Sequence, residues 1–231
     1  ADLRVEFSVE STNTHLMDRI VSEPSSCNGC VVFAEQQTSG RGRRGRPWIS
    51  PLGQNIYCSL NWGFASGAAS LSGLSLAIGL ATVKALESLG YQGISLKWPN
   101  DLLWHGRKLG GILLEIAGDL AGPCQVVIGI GLNVTMSQQS GQGSNQGEAY
   151  IVPLEHDIDQ PWIDLYEINS ELANKNYVAA AMLNELLPLL ADFEVHGFPP
   201  LKTEWLSRDA FLDQQVVLQM RDEQVQGISK G

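Results

Sequence analysis

The stretch Gly40-Arg41-Gly42-Arg43-Arg44-Gly45-Arg46 determines which nucleotide-binding folds this chain can adopt. It follows an apolar run, Val31 to Gln37, that predicts a buried strand, and it formally matches the pattern G-x-G-x-x-G. A Rossmann fold needs a helix that begins inside this motif. The next residues are Pro47-Trp48-Ile49-Ser50-Pro51, and two prolines without helical periodicity exclude that helix. We therefore interpret residues 40–46 as a loop, called the arginine loop below.

Four arginines separated by glycines favour a site for a phosphate group. Glycine lets the backbone approach a ligand closely, and arginine presents a planar fork of donors that suits phosphate. Without an anion the guanidinium groups repel one another, and exposed ion pairs gain only about 0–1 kcal/mol. A phosphate about 4 Å from one guanidinium gains about 4 kcal/mol at intermediate dielectric. We expect phosphate binding; a solvated basic loop and an RNA-binding patch are the alternatives.

The composition excludes several classes of protein. The 231 residues are 44% hydrophobic and carry 25 acidic against 15 basic side chains, a net charge of -10. The length suits one large domain, or one domain with a small appendage, and the charge argues against nonspecific binding of nucleic acid or anionic membranes. Any anion site must be local. The sequence has neither a run of about 18 apolar residues nor a recognisable signal peptide, so we expect no membrane protein and take the cytoplasm as the default.

The cysteines indicate reduced thiols. Cys27 and Cys30 have the C-x-x-C spacing of half a zinc knuckle, but the sequence has no second C-x-x-C and no H-x-x-x-H pattern. A chain of this length does not need disulfides for stability. We interpret the pair as a turn of reduced thiols, with a metal or redox role as the alternative.

Hydrophobic periodicity predicts a mixture of helices and strands. Ser11-Thr12-Asn13 is typical of a helix N-cap before Leu16 and Ile20. Further helices are predicted over 71–89, 176–193 and 202–211. Strands are predicted over 31–37, 55–62, 94–98, 102–104, 109–116, 125–134, 216–220 and 225–228. The Ser/Gln/Gly-rich residues 137–147 predict a mobile loop.

Two further stretches contain candidate ligand contacts. Lys97-Trp98-Pro99-Asn100-Asp101-Leu102 places a lysine in an apolar strand, where burial is costly unless the ammonium meets an anion. The alternative is a lysine that reaches solvent from a strand edge, and for Asp101 a cap of the turn after Pro99 is the simpler interpretation. Gly129-Ile130-Gly131-Leu132-Asn133 leaves one face of a strand without side chains, which suits a flat ligand on a sheet. A bulge in an ordinary strand is the alternative.

In their order and spacing, these motifs resemble the biotin protein ligase family. The resemblance covers roughly residues 7–134 and rests on Ser11-Thr12-Asn13, Gln37, the arginine loop, Lys97-Trp98-Pro99-Asn100-Asp101, Lys108-Leu109-Gly110-Gly111-Ile112-Leu113 and Gly129-Ile130-Gly131-Leu132-Asn133. It implies an α/β (α+β) fold over residues 1–211: a mixed, mostly antiparallel sheet with packed helices, like that of class II aminoacyl-tRNA synthetases. It also implies that residues 212–231 begin a small SH3-like β-barrel, most of which is missing here. Because the sequence starts with Ala, we expect that the natural N-terminus is missing too.

The resemblance implies a ligase that uses ATP, Mg²⁺ and biotin in two steps. The biotin carboxylate attacks the α-phosphate of MgATP, which gives biotinyl-5′-AMP and pyrophosphate. A lysine of the biotin carboxyl carrier domain of acetyl-CoA carboxylase then takes the biotin and releases AMP. The implied catalytic residues are Lys97, Arg41 and Arg43.

The resemblance also assigns binding residues. Biotin contacts are expected from Ser11, Thr12, Asn13, Gln37, Gly40, Arg41, Lys97, Leu102, Gly111, Gly129 and Gly131. Contacts with ATP or the adenylate are expected from Arg41, Gly42, Arg43, Arg46, Trp48, Lys97 and Asn133. We expect no metal site built from protein side chains, because Mg²⁺ is commonly held mainly by phosphate oxygens.

Two other functions remain as alternatives. A lipoate- or octanoate-transferring enzyme shares the fold superfamily, but those families lack this combination of motifs, and groups that pair with a ureido ring discriminate against lipoate. The other is a ligand-sensing regulator that binds biotinyl-5′-AMP and acts through dimerisation or DNA. The net charge of -10 counts against DNA binding by this chain. The oligomeric state stays open, with a homodimer among the alternatives.

Overall fold

A seven-stranded sheet in the order β1-β2-β3-β7-β6-β5-β4 organises the chain. The computed structural model describes residues 2–22, 27–118, 122–137, 158–220 and 223–231, so residues 138–147 of the predicted loop lie outside it. The strands are β1 (Leu3–Val9), β2 (Val31–Gln37), β3 (Asn55–Phe64), β4 (Ile94–Lys97), β5 (Asp101–Trp104), β6 (Arg107–Gly118) and β7 (Cys124–Asn133). β1 and β2 are parallel and the other neighbouring pairs are antiparallel, which confirms the expected mixed, mostly antiparallel sheet.

Within the described residues, five α-helices accompany the sheet: α1 (Thr12–Ser22), α2 (Leu74–Ser88), α3 (Leu165–Asn169), α4 (Lys175–His196) and α5 (Lys202–Leu206). The helix predicted over 71–89 begins later, because Ala68–Leu71 forms a separate 3₁₀ turn and Gly73 before α2 has a φ of 84°. α5 ends five residues before the predicted 211, and neither β1 nor α3 was predicted. No helix of the described ranges is long and apolar enough to cross a membrane.

The alternation of side chains along β7 separates the two faces of the sheet. Even-numbered residues of β7 pack with α2 and α4 in the large core; these are Val126, Ile128, Ile130 and Leu132. On the opposite face Val127 packs in a second cluster with Leu16 and Ile20 of α1. Because strand side chains alternate, Gly129, Gly131 and Asn133 share the α1 face with Val127.

The four cysteines are buried and form no disulfide. Cys27 and Cys30 pack in the α1 cluster, and burial raises the pKa of the Cys27 thiol to about 11. No group of three or more His, Cys, Asp or Glu side chains among the described residues is arranged to hold a metal ion. Cys27 and Cys30 therefore contribute to the packing of the α1 cluster.

The chain ends in a separate two-stranded hairpin of β8 (Gln215–Met220) and β9 (Glu223–Ile228). The segment before it runs beside β4, where the Leu96 amide donates to the Arg208 carbonyl at 2.7 Å and the Ala210 amide donates to the Leu96 carbonyl at 2.8 Å. These bonds attach the segment that precedes the hairpin to β4, at the edge of the main sheet next to Lys97.

Two leucines at the C-terminal end of α2 differ in burial and give a matched test of the fold. Leu86 is fully buried, whereas Leu89 is 37% exposed. We expect Leu86→Ala to lower the free energy of unfolding by about 2–5 kcal/mol, because it leaves a cavity in the large core. Leu89→Ala should change it by less than about 0.5 kcal/mol. Urea denaturation measures both, and equal losses would contradict the packing described here.

Candidate functional site

A cleft of about 600 Å³ opens on the α1 face of the sheet. Its lining includes six basic side chains, from Arg41, Arg43, Arg44, Arg46, Lys97 and Lys108, and two carboxylates, from Asp101 and Asp159. The chain as a whole has a net charge of -10, so the positive charge is concentrated at this cleft. Basic side chains are thus gathered in one place, as the composition requires of any anion site.

Two glycines of β7 form the centre of the cleft floor. A Cβ atom on Gly129 would lie 2.3 Å from Asn13 Oδ1, and one on Gly131 would lie 2.5 Å from Trp48 Cε2. Gly111 of β6 pairs with Gly131, and its Cβ would lie 3.3 Å from the Trp48 ring. We call Gly111, Gly129 and Gly131 the glycine floor. The register of β7 with β3 and β6 runs through it without a break, so the bulge alternative is wrong.

The Asn13 side chain spans three strands across this floor. Its Nδ2 donates to Glu115 Oε2 of β6 at 2.8 Å, and its Oδ1 lies 2.6 Å from Ser59 Oγ of β3. Ser59 is the direct cross-strand partner of Gly129, so the missing side chain at 129 is what lets the amide lie between β3 and β6. Asn13 is buried, and each end of its amide has a protein partner.

A continuous network extends from Asn13 to the base of the arginine loop. Ser59 Oγ lies 2.7 Å from Thr12 Oγ1, and the Thr12 amide donates to Gln37 Oε1 at 3.0 Å. Gln37 Nε2 donates to Ser50 Oγ at 3.0 Å, and Ser50 Oγ donates to the Trp48 carbonyl. Paired buried groups of this kind have fixed positions. This end of the cleft is therefore a rigid polar pocket.

The arginine loop is closed by its own backbone and held by partners outside it. The Gly42 amide donates to the Arg46 carbonyl at 2.7 Å, and Arg44 adopts a left-handed conformation with a φ of 58°. Arg41 Nη2 donates to Thr14 Oγ1 at 2.9 Å and forms an ion pair with Glu115. Arg43 Nη1 donates to Asn100 Oδ1 at 3.3 Å. The loop therefore contacts both α1 and the turn after β4.

The two lysines of the cleft occupy different positions. Lys108 is largely buried: its Nζ lies 2.9 Å from Asp101 Oδ1 and 5.3 Å from the centre of the Trp48 ring. Lys97 is the last residue of β4 and is exposed at the cleft mouth, so the prediction of a lysine buried in a strand is wrong. β4 is an edge strand, and Lys97 follows the alternative of a strand-edge lysine. The Asp101 carboxylate pairs with Lys108, where the sequence suggested a turn cap.

The Asn133 amide closes the inner end of the cleft. Its Nδ2 donates to the carbonyls of Lys108 at 3.3 Å and Ile163 at 3.0 Å. Both amide hydrogens are therefore used, and Oδ1 is the atom that remains for a ligand.

All predicted site residues line the cleft except Gly40 and Leu102. Gly40 packs below the loop, where a Cβ would lie 2.5 Å from the Trp48 carbonyl oxygen. Leu102 is fully buried in the large core, because its β5 position faces α2. Ser59, Lys108 and Glu115 were not predicted as site residues, although each is a polar residue in a mainly apolar strand, as Lys97 is.

Comparisons with known proteins agree on one family. Residues 6–133 match the family described as Biotin/lipoate A/B protein ligase family. The bifunctional ligase/repressor BirA of Escherichia coli (strain K12) is 40% identical over 223 residues, covering 96% of this chain and 64% of that protein. The biotin–[acetyl-CoA-carboxylase] ligase of Mycobacterium tuberculosis is 30% identical over 239 residues, covering 99% of this chain and 79% of that protein.

A solved structure of similar fold agrees with them. Biotin protein ligase from Aquifex aeolicus in complex with biotin and ATP superposes with a TM-score of 0.76 at 28% sequence identity, covering 98% of this chain and 85% of that one. The present chain thus spans 64% of the length of the E. coli relative.

The glycine floor gives a prediction with a matched control. We expect Gly131→Ala to lower the free energy of unfolding by about 1–3 kcal/mol, because the new methyl group must displace the Trp48 ring. Gly227 lies in β9 with nothing within 4 Å of a Cβ, so Gly227→Ala should be neutral or slightly stabilising. Urea denaturation of both variants checks this. An unchanged stability of Gly131→Ala would show that Trp48 does not lie on the floor.

Proposed function

Since the chain belongs to the biotin/lipoate A/B protein ligase family, we propose that it is an ATP-dependent ligase that activates biotin and transfers it to a carrier protein. One observation carries this proposal: a rigid polar pocket and a group of six cations lie in a single cleft. Such a cleft suits a ligand with a polar ring at one end and a carboxylate that must meet phosphate at the other. The names of the relatives support the same reaction.

Biotin would place its ureido ring at the Asn13 end of the cleft. Ser11, Thr12, Asn13 and Gln37 supply donors and acceptors there, and the bicyclic ring system would lie in the cleft beside the Asn13 and Trp48 side chains that rest on the glycine floor. The half-buried Trp48 ring lies on this floor, and its Nε1 is a buried donor that has no acceptor among the described residues. We propose that Trp48 covers the ligand or the adenine, because an unpaired indole N–H gains from an acceptor.

The phosphates would lie between the arginine loop and Lys108. Arg41, Arg43 and Arg46 line the cleft with guanidinium donors, and Gly42 lines it between them. In the first step a biotin carboxylate oxygen attacks the α-phosphorus and pyrophosphate leaves, so two anions must approach each other. In the second step the carrier lysine attacks the acyl carbon and AMP leaves.

Lys108 is the best-placed cation for the first step. It is the more buried of the two cleft lysines, and its stem crosses Gly111 at the centre of the cleft, where a carboxylate and a phosphate would meet. A buried charge acts more strongly than an exposed one, since solvent screens it less. Lys97 would contribute at the mouth, with the leaving pyrophosphate.

The residues also fit a Mg²⁺ ion that arrives with ATP. Mg²⁺ prefers one or two protein oxygens together with phosphate oxygens. The side-chain oxygens of the cleft that would serve include the carboxylates of Asp101 and Asp159 and the Oδ1 atom of Asn133. The amide hydrogens of Asn133 are already engaged, and Asp101 also pairs with Lys108. When bound, the ion would neutralise part of the phosphate charge.

The terminal hairpin would belong to a second, small domain. We propose that the catalytic domain spans residues 1–211 and that residues 212–231 begin an SH3-like barrel. The exposed Val217, Val225 and Ile228 support this, because apolar side chains of a hairpin are normally covered. Gln219 of the hairpin lines the cleft, so the second domain would also contact the nucleotide or the carrier. Four cysteines without a disulfide fit the cytoplasm, where the carrier domain of acetyl-CoA carboxylase would be the acceptor.

The proposal predicts biotin-dependent ATP–pyrophosphate exchange by this chain, with lipoate as the matched control. We expect exchange with biotin and none above background with lipoate, because a site that pairs with ureido groups rejects a ligand without them by about 10⁴-fold or more. Exchange with lipoate alone would favour the lipoate-transferring alternative. If the chain neither exchanges pyrophosphate nor binds biotin in calorimetry, the proposal is wrong.

Substituting Lys97 and Lys108 separately tests which of the two contributes more to the rate of ATP–pyrophosphate exchange. We expect Lys108→Gln to reduce the exchange rate by at least about 100-fold, because it removes a preorganised cation at the reacting atoms. Lys97→Gln should cost less than about tenfold, since Lys97 is exposed and screened. The reverse order in the same assay would return the central role to Lys97.

A further inference from the structure

One carboxylate connects the polar pocket to the arginine loop. Glu115 lies on β6 and accepts from Asn13 Nδ2 at 2.8 Å. The same carboxylate accepts from Arg41 Nη2 at 3.2 and 3.3 Å. Asn13 belongs to the proposed ureido end and Arg41 to the proposed phosphate end. Glu115 itself does not line the cleft, so it acts through these two side chains.

Glu115 determines which way round the Asn13 amide lies. A guanidinium has donors only, so the carboxylate that binds Arg41 acts as an acceptor. Asn13 must therefore turn its NH₂ group to Glu115 and its oxygen to Ser59 Oγ, 2.6 Å away. Rotating the amide by half a turn would place an oxygen against the carboxylate, and two acceptors repel each other.

The orientation of Asn13 fixes the hydroxyl groups behind it. Ser59 has one proton, which it must donate to Asn13 Oδ1. Thr12 Oγ1 lies 2.7 Å from Ser59 Oγ and 3.2 Å from Gln37 Oε1. Because the Ser59 proton is already used and the shorter contact needs a proton between its two oxygens, the Thr12 hydroxyl donates to Ser59, and Gln37 Oε1 keeps the Thr12 amide as its donor. Every donor in the chain from Thr12 through Ser59 and Asn13 thus points toward Glu115.

Resting on the proposed function, we propose that Glu115 is a positioning residue that sets the donor–acceptor polarity of the biotin pocket. With its proton committed to Ser59, the Thr12 hydroxyl presents lone pairs to the cleft that Thr12 lines. A ureido N–H satisfies such an acceptor, whereas a sulfur atom or a methylene group does not. Glu115 therefore contributes to the selection of a ligand that donates a hydrogen bond to the Thr12 hydroxyl, although three hydrogen bonds separate Glu115 from that hydroxyl.

Two isosteric or near-isosteric variants test the proposal, and a third is the control. Glu115→Gln keeps the size of the side chain but offers Asn13 a donor, so the chain of hydrogen bonds is free to reverse. Ser59→Ala removes the central hydroxyl of this series of hydrogen bonds, at a fully buried residue. Glu167→Gln is the matched control, because Glu167 pairs with Arg107 at 2.7 Å outside the cleft lining.

Calorimetry with biotin and no nucleotide is the measurement, and thermal unfolding monitors the fold of each variant. We expect Glu115→Gln and Ser59→Ala each to weaken biotin binding by at least about tenfold. Glu115→Asp remains an acceptor, so its affinity for biotin should lie between that of Glu115→Gln and that of the unsubstituted chain. The affinity of Glu167→Gln for biotin should be within about twofold of that of the unsubstituted chain.

A different pattern overturns the proposal. If biotin binding by Glu115→Gln and Ser59→Ala is unchanged while the KM for ATP of Glu115→Gln rises, Glu115 only anchors Arg41. If the unsubstituted chain does not bind biotin at all, the proposed function fails together with the role of Glu115. The two failures are distinguishable, because the first leaves biotin binding by the unsubstituted chain intact.

Discussion

The absence of side chains on one face of β7 is the constraint on which the cleft depends. Ile128, Ile130 and Leu132 fill the core on the other face, so the same strand stabilises the sheet and leaves room above Gly129 and Gly131. Asn13 reaches from β3 to β6 only because nothing projects at position 129, and the Trp48 ring lies directly on position 131. The sequence pattern suggested a bare surface for a flat ligand. In the structure that surface also seats the two side chains that would orient the ligand.

Charge in the cleft is more balanced than a count of arginines suggests. Arg41 pairs with Glu115, Lys108 pairs with Asp101, and Arg43 donates to an amide oxygen of Asn100. Repulsion within the arginine loop is therefore partly offset before any ligand binds. A phosphate must share these cations with protein acceptors, so its net gain is smaller than the roughly 4 kcal/mol of an isolated pair. What the loop offers is a set of donors that is already in position.

Local patterns predicted the elements that bury one face strongly, and they missed features that depend on pairing across the sheet. Strands over 31–37 and 125–134 and the helix over 176–193 were found within three residues of their predicted ends. β1 was missed although Leu3, Val5 and Phe7 alternate with polar residues, and its parallel pairing with β2 is a long-range feature. The pairing of Lys108 with Asp101 and that of Glu115 with Asn13 depend on strand register, which the sequence does not show. Lys97 was misjudged because β4 ends at it, and a one-residue difference in a strand end decides whether a lysine is buried.

The two ends of the cleft differ in rigidity, and the proposed reaction needs that difference. At the polar end Thr12, Asn13 and Ser59 are buried and paired, so their geometry is fixed before a ligand arrives. At the other end Arg43 is exposed and held by a single 3.3 Å bond to Asn100, which costs little to exchange for a phosphate oxygen. The ureido ring is the same in biotin and in biotinyl-5′-AMP, whereas the phosphate end changes from the triphosphate of ATP to the single acyl phosphate of the adenylate. A fixed pocket suits the group that stays constant, and replaceable contacts suit the group that changes.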